Sequence, residues 1–281
     1  KKSYITFQYI LNNFKINIRF QQSHYRYNRV INKLESTSVD DKKTSYLKWK
    51  NIINQSCKFP TLMNHSYNLH NSDREKLSFK LNLSTFTGNI EHAIFISFIR
   101  AIYDIFNISH NENIAFHLMF NARAIPTFEF AESFYNIMGT FHDVIPVYTN
   151  YNKVSGNSMV GHTGYINNIV SDGKDFCLLR KELFKSFDDE RNLFRTLFNI
   201  FKSEKTNKES SFIKSDRVTE IWPSSMIFVD ECKIEYLLEY NVIITDDMLQ
   251  MTIFYSKYHY NESIITQLNN KIAENFHKLT N

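Results

Sequence analysis

The spacing of apolar and polar residues predicts helices and strands in the middle of the chain. Leu77–Leu83 alternates apolar and polar positions, which is typical of a strand with one buried face. Asn89–Phe106 has apolar residues around most of its circumference and predicts a long buried helix. The apolar runs Asn113–Phe120 and Asp143–Tyr148 predict two more strands. This part of the chain therefore mixes helix with strand.

The first part of the chain predicts helices joined by loops. Tyr4–Phe14 has apolar residues at helical spacing and predicts an amphipathic helix. Residues 35–43 are polar and predict a loop, after which Thr44 or Ser45 is expected to cap a second helix. Lys58–Glu75 predicts an irregular, exposed crossover.

The second half of the chain predicts a loop, a helix, strands and a final helix. Thr149–Gly173 is rich in Asn, Ser and Gly and predicts a long loop, and Asp175–Phe201 predicts a helix. The charged segment Lys202–Arg217 predicts a mobile excursion, and Asn261 is expected to cap the last helix. Three strands are predicted between these segments: Ser225–Val229, Leu237–Ile244 and Leu249–Tyr255. The mixed order predicts an α/β layered sheet.

Composition narrows the class of protein. The chain has 281 residues, 43% hydrophobic and 22% charged, enough for one large globular domain or two lobes. The net charge of +4 is spread along the chain, so no concentrated basic face for nucleic acid is expected. The longest apolar run, Ala93–Ile105, contains Arg100 and Asp104, so we expect no membrane span.

Motifs for metals, disulfides and nucleotide cofactors are absent from the sequence. The cysteines Cys57, Cys177 and Cys232 form no C-x-x-C pair, which fits a reducing cytoplasm. No G-x-G-x-x-G, Walker A, G-x-S-x-G or H-E-x-x-H motif occurs. We therefore expect no directly bound cofactor and no metal. His117, in an apolar strand, is expected to be a hydrogen-bonded structural residue.

Four segments, in order, resemble the C-terminal part of condensation domains of non-ribosomal peptide synthetases. Thr44–Ile53 is similar to the family's aromatic and Trp segment near the lobe crossover, and Thr87–Phe106 to its buried helix. The clearest likeness joins Ile114–Arg123 to Ile137–Val147. It resembles a strand ending in Gly-Arg, followed by a hydrophobic-Gly-Phe-Phe-x-Asn-x-x-Pro segment. Leu237–Phe276 resembles the closing strands and helix.

The clearest of these segments agrees with the family at three positions and departs from it at others. Arg123, Gly139 and Pro146 agree. The departures are Ala122 for the usual Gly, Thr140 for an aromatic residue and Asp143 for the usual Asn. Ala124 stands where the related epimerisation domains usually have Glu, which disfavours epimerase activity.

The resemblance implies a chloramphenicol-acetyltransferase-like mixed sheet flanked by helices, mostly one lobe of a two-lobed domain. Residues 1–60 would be the end of the N-terminal lobe and the crossover, and residues 61–281 the C-terminal lobe. The family's catalytic signature, His-His-x-x-x-Asp-Gly, does not occur in the sequence. We expect it immediately before Lys1, followed by the helix Tyr4–Phe14.

The family's activity is the formation of an amide bond between acyl and aminoacyl thioesters held on carrier proteins. By that resemblance, phosphopantetheine arms present the substrates, and the partners are carrier domains and the N-terminal lobe. Asp143 and His142 are the expected tunnel residues, and Arg123, Gly139 and Pro146 the tunnel wall. Whether the chain is itself an enzyme stays open.

Other interpretations remain open, both for the roles of single residues and for the function of the whole chain. Asp143 equally fits a residue that caps a turn before its strand, and Arg123 fits a structural ion pair in the tunnel wall. The chain equally fits a non-catalytic module that docks carrier or partner proteins, or a coenzyme A-dependent acyltransferase of the same superfamily.

Overall fold

The computed structural model defines ten elements of secondary structure with complete bounds. It describes residues 39–55, 59–61, 70, 73–83, 88–121, 142–156, 162–166, 168–169, 176, 179–180, 182–184, 190, 193–202, 236–245 and 248–280. The helices are α1 (Val39–Asn54), α2 (Ile90–Phe106), α3 (Glu262–Thr280) and a 3₁₀ turn (Tyr151–Lys153). The strands are β1 (Arg74–Asn82), β2 (Ile114–Asn121), β3 (His142–Thr149), β4 (Thr196–Lys202), β5 (Leu238–Ile244) and β6 (Met248–Ser256).

The six strands form one mixed sheet in the order β1-β6-β5-β4-β2-β3. The central pairs β2–β4 and β4–β5 are parallel, whereas β1–β6, β5–β6 and β2–β3 are antiparallel. With helices packed on the sheet, this arrangement confirms the predicted α/β class and the mixed sheet flanked by helices.

The first face of the sheet is covered by α2 and α3, which also pack against each other. Every residue of α2 from Ala93 to Tyr103 is buried, which confirms the helix expected from its apolar circumference. The ring of Phe98 lies 5.5 Å from Phe116 of β2, 4.4 Å from Phe198 of β4 and 5.0 Å from Tyr240 of β5. One side chain thereby joins the three central strands to the helix.

The second face of the sheet has a smaller apolar core beside β2. Trp49 of α1 packs edge-on against Phe176, with ring centroids 5.1 Å apart. Ala115, Leu179 and Phe194 complete this cluster. Strand β2 is consequently buried on both faces, which explains its nearly unbroken apolar sequence.

The helix predicted over Asp175–Phe201 is wrong at its C-terminal end, where Thr196–Lys202 forms the strand β4. A strand between two parallel neighbours is buried on both faces, so its sequence lacks the alternation that identifies a half-exposed strand. Helical residues do occur earlier in that range, at 176, 179–180, 182–183, 190 and 193.

Two other boundary predictions are also wrong. Helix α1 begins at Val39, so Thr44 and Ser45 lie inside it and the loop predicted over 35–43 is helical from residue 39. The loop predicted over 149–173 contains the 3₁₀ turn and helical residues at 162–166 and 168–169. In both segments, packing of a few apolar side chains stabilises helices whose exposed faces are polar.

The other strand predictions are confirmed to within a few residues for β1, β2, β3, β5 and β6, as is the final helix. The helix predicted over Tyr4–Phe14 and the strand predicted over Ser225–Val229 lie outside the described residues. Among the helices that the structure describes, none has the length and apolar character needed to span a bilayer.

Candidate functional site

The two predicted tunnel residues lie where β2 and β3 meet. His142 and Asp143 are the first two residues of β3, and their backbones pair with Asn121 and Phe120, the last two of β2. These two residues therefore lie at one end of the antiparallel β2–β3 pair. Arg123 and Gly139, predicted for the tunnel wall, lie outside the described residues.

Pro146 is buried in β3, with its backbone opposite His117 of β2. Proline has no N–H for a sheet ladder, so it is tolerated only where one side of a strand needs no donor. Strand β3 stands at the end of the strand order in the described sheet, which meets this requirement.

His117 lies at the centre of a buried polar network on the second face of the sheet. Its Nδ1 is 3.1 Å from the hydroxyl of Tyr236, and its ring stacks on Phe194 with centroids 4.5 Å apart. Its Nε2 lies 3.2 Å from Oε1 of Glu190, within ion-pair distance but off the direction of a hydrogen bond. His117 is therefore hydrogen-bonded in the core, as its apolar strand predicts.

Arg180 connects this network to the start of β3. Its Nε donates to Oε1 of Glu190 at 3.0 Å, and its Nη2 donates to the carbonyl of Val144 at 3.1 Å. Glu190 is only 2% exposed, and the partly exposed Arg180 supplies the positive charge that compensates its buried carboxylate. Because Val144 follows Asp143 directly, the same guanidinium fixes the backbone beside the predicted site.

A second polar cluster holds the chain that follows β3 against α2. Arg100 donates from Nε to the carbonyl of Val154 at 2.7 Å and from Nη2 to that of Gly156 at 2.6 Å. His162 donates from Nε2 to the same Gly156 carbonyl at 2.5 Å. His92, near the start of α2, lies with Nδ1 3.1 Å from the Thr163 hydroxyl.

Burial disfavours the charged forms of the titratable groups in this cluster. The pKa of His92 is lowered by burial and then by the neighbouring His162. The pKa of His162 is lowered mainly by burial, and Arg100 adds to this, while the hydrogen bond to Gly156 opposes it. Both imidazoles are therefore expected to be neutral near neutral pH.

Sequence reasoning missed Glu190, Arg180 and Tyr236, which the tertiary structure brings to His117. They lie 10 to 119 positions apart in the sequence, so no local motif unites them. The signal available in the sequence was that the charged residues Arg180 and Glu190 lie in a segment whose apolar residues contribute to the core. In the part of the chain that the structure describes, no group of three His, Cys, Asp or Glu side chains could hold a metal ion.

Comparisons with known proteins give no match at the level of sequence. No family model matches the chain, and no curated protein does.

Solved structures, by contrast, match over most of the chain. The epimerization domain from the third module of tyrocidine synthetase B is 14% identical, with a TM-score of 0.56 over 87% of this chain and 59% of that one. The X-domain from teicoplanin biosynthesis is 8% identical, with a TM-score of 0.57 over 91% and 58%. The starter condensation domain of rhizomide synthetase is 13% identical, with a TM-score of 0.51 over 85% and 52%.

The chain spans little more than half the length of each of these structures. The likeness in structure at low sequence identity shows the fold and leaves the activity to other observations. The mixed sheet with helices on both faces, shared over at least 85% of the chain, therefore gives this protein a fold like that of condensation, epimerization and X domains.

Proposed function

We propose that this chain supplies the C-terminal lobe of a condensation-type acyl-transfer unit. The unit would form an amide bond between acyl and aminoacyl thioesters presented on the phosphopantetheine arms of carrier proteins. The observation that supports this most is the fold shared with condensation, epimerization and X domains over most of the chain.

We propose that the carboxylate of Asp143 acts at the reacting centre, as the family resemblance implies. Asp143 is the second residue of β3 and pairs with Phe120 near the end of β2, and the adjacent Val144 carbonyl accepts a hydrogen bond from Arg180. A fixed backbone lets a carboxylate orient an incoming ammonium group, or a histidine from the other lobe, without first ordering the strand. His142 would line the same end of the β2–β3 pair.

The proposed partners are two carrier domains and an N-terminal lobe that contains the His-His-x-x-x-Asp-Gly signature. In the related fold, the rhizomide starter condensation domain has been solved in complex with C8-CoA and Leu-SNAC. We infer that the signature histidine of the N-terminal lobe accepts the amine proton. The lobe described above would form the opposite wall of the tunnel.

The proposed activity can be tested with the full chain. It is mixed with the N-terminal lobe of a condensation domain that contains the signature and with two loaded carrier proteins, and the amide product is measured by mass spectrometry. We expect Asp143→Ala to lower the rate on the order of 10²-fold, because alanine removes the oxygen that would hold the incoming ammonium. Asp104→Ala, an exposed change on α2, is the matched control.

Two outcomes would contradict this proposal at different levels. Full activity of Asp143→Ala would leave Asp143 as a residue that caps a turn before β3. The absence of product from a well-folded complex of the unchanged chain would exclude the condensation reaction with these partners.

A second candidate function is a module that docks partner proteins without turnover. It is favoured by a complex of the teicoplanin X-domain with OxyB, whose X-domain shares this fold at a TM-score of 0.52. Titration of the chain with carrier protein would then give saturable binding while the amide-forming assay stays silent. The absence of binding to carrier protein would exclude this second function for that partner.

A further inference from the structure

A helical turn after β3 docks on α2 through polar side chains. The turn consists of residues 162–166, and its first residue, His162, is only 4% exposed. Nε2 of His162 donates to the carbonyl of Gly156 at 2.5 Å. The hydroxyl of the next residue, Thr163, lies 3.1 Å from Nδ1 of His92, in the first turn of α2. We call residues 162–166 the docked turn.

The carbonyl of Gly156 joins His162 to a permanent positive charge. Arg100 of α2 donates from Nη2 to the same oxygen at 2.6 Å. Two nitrogens bonded to one oxygen at these distances lie at most about 5 Å apart. A guanidinium stays charged across the pH range in which proteins are folded. Protonation of His162 would therefore set a second positive charge beside the first, in a buried position where like charges repel strongly.

The groups that face the two imidazoles offer no compensating negative charge. Arg100 acts on His162, and His162 acts on His92, in each case so as to disfavour the protonated form. Among the described residues, no carboxylate pairs with either imidazole. The hydrogen bond from His162 to Gly156 favours the protonated form of that imidazole, and the effect of burial outweighs it.

Arg100 has no ion-pair partner among the described residues. Both of its hydrogen bonds there go to backbone carbonyls. Asp104 of α2 and Tyr151 of the 3₁₀ turn act on the guanidinium without pairing with it. Asp104 also lies 3.5 Å from Lys271 of α3, which shares its negative charge. The positive charge beside His162 is therefore only partly compensated.

The direction of the pH effect follows from these contacts. The folded-state pKa values of His92 and His162 lie below 6.5, the ordinary value for histidine. A released turn has histidines of ordinary pKa, so it binds protons more readily than the docked turn does. Docking is fully stable above pH 6.5 and weakens as the pH falls below that value. Each histidine can raise the fraction of released turn by at most about tenfold per pH unit.

Apolar anchors limit how far this release can spread. Val154, before the docked turn, is fully buried, and Ile169, after it, is 9% exposed. Both belong to the core that α2 shares with the sheet. Acid acts on the polar contact between these anchors and leaves the apolar contacts on either side in place, because the burial of apolar surface involves no titrating group.

We propose that the docked turn and α2 form a pH-sensitive latch, which is closed while His162 is neutral and opens when His162 is protonated beside Arg100. His92 strengthens the response, because its own protonation adds a third positive charge to the same contact. Opening exposes Arg100 and the docked turn to solvent, while α2 and the sheet remain folded. The latch does not depend on the proposed acyl transfer and would operate in a chain without that activity.

Hydrogen–deuterium exchange of the full chain, read by mass spectrometry, tests the latch. It is measured at about pH 7.5 and about pH 5.5, one unit on either side of the ordinary histidine pKa. After correction for the intrinsic pH dependence of exchange, we expect peptides covering residues 162–166 to exchange up to about 100-fold faster at the lower pH, the limit for two histidines. Peptides from the centre of α2, residues 93–103, should show no such acceleration.

His162→Gln separates the charge from the hydrogen bond. Glutamine keeps a neutral N–H donor for the Gly156 carbonyl and does not titrate, so the docked turn should lose most of its response to pH. The part that remains is the contribution of His92. His110→Gln replaces an exposed histidine that stacks on Tyr151 of the 3₁₀ turn, and this control should respond to pH as the unchanged chain does.

The imidazole signals of the ¹⁵N-labelled chain give a measurement without substitution, in case His162→Gln does not fold. We expect His162 to titrate below pH 6.5, and Arg100→Gln, which removes the neighbouring charge, to move that titration upward. Titration of His162 at or above pH 6.5 in the unchanged chain would overturn the latch. So would an unchanged response to pH in folded His162→Gln, or an equal acceleration of exchange in α2 and the sheet, which would indicate global unfolding.

Discussion

Two mostly buried glutamates organise the polar side chains on the second face of the sheet. Glu190 and Glu239 each hold a carboxylate in a mostly buried position, and each is paired with one arginine, Arg180 and Arg74. Paired in this way, the carboxylates orient their neighbours instead of only adding charge. The two networks fix His117 and Asn199 on adjacent strands.

Glu190→Gln is expected to lower the free energy of unfolding by about 2 kcal/mol. The substitution leaves Arg180 without its buried counter-charge, and the partial exposure of Arg180 reduces the penalty below that of a fully buried pair. Urea unfolding followed by circular dichroism measures the change. Glu182→Gln, an exposed glutamate of the same stretch, should stay within about 0.5 kcal/mol of the unchanged chain, and an equal effect of both would contradict the role of the pair.

The pH dependence of stability follows from His92 and His162. Their folded-state pKa values lie below the ordinary 6.5, so the unfolded chain binds more protons as the pH falls. Stability is then fully present above pH 6.5 and is lost as the pH falls through 6.5 toward the folded-state values. Arg100 is the cation near His162, and its positive charge adds to the lowering of that pKa.

Melting temperatures measured between pH 8 and pH 5, a range of roughly 1.5 units on either side of the ordinary histidine pKa, test this dependence. The double variant His92→Gln and His162→Gln should lose less stability on acidification than the unchanged chain. His277→Gln, an exposed histidine of α3, should leave the pH profile as it is. Identical profiles for the double variant and the unchanged chain would show that other groups govern acid stability.

At the scale of elements, helix α2 organises the sheet. Asn89 begins it by accepting a hydrogen bond from the backbone N–H of His92 at 3.0 Å, and Asn107 ends it in the left-handed conformation at φ 50°. Between these caps the helix is buried on nearly every side. Its rings contact three adjacent strands, so the order β5-β4-β2 depends on its packing.

Phe98→Ala is expected to destabilise the protein by about 3–5 kcal/mol, because the cavity would open against β2, β4 and β5 at once. Chemical unfolding monitored by circular dichroism gives the value. Leu47→Ala provides the comparison, since Leu47 of α1 is 57% exposed and should change stability little. A loss below about 1 kcal/mol for Phe98→Ala would mean that the core refills the space.

At the scale of the whole molecule, the two faces of the sheet differ in composition. The first face is an aliphatic and aromatic core under α2 and α3, which supplies most of the buried apolar surface. The second face combines a small aromatic cluster with the polar networks around Glu190 and Glu239. We therefore expect truncation of apolar side chains to lower stability most on the first face, where most of the apolar surface is buried.

Much of this architecture follows from the sequence alone. Alternation of apolar and polar residues identified β1 and β6, because one face of each strand packs into the apolar core. Apolar residues around most of its circumference identified α2, because that helix is buried on nearly all sides. The order of segments, ending in Leu237–Phe276, was sufficient to suggest the condensation-domain-like fold. The position of Asp143 at the start of a strand was also predictable, and its role remains a prediction.

Other features were decided only by the tertiary structure. Thr196–Lys202 became a strand because parallel pairing with β2 and β5 outweighs the helical pattern of a doubly buried segment. His117 contacts Glu190 and Tyr236, and Asn199 donates a hydrogen bond to Asn241. The residues in each of these contacts are distant in the sequence. The spacing of apolar residues in the sequence predicts which side of a helix or strand is buried. The hydrogen-bond partners of a buried polar group depend instead on which elements pack next to each other.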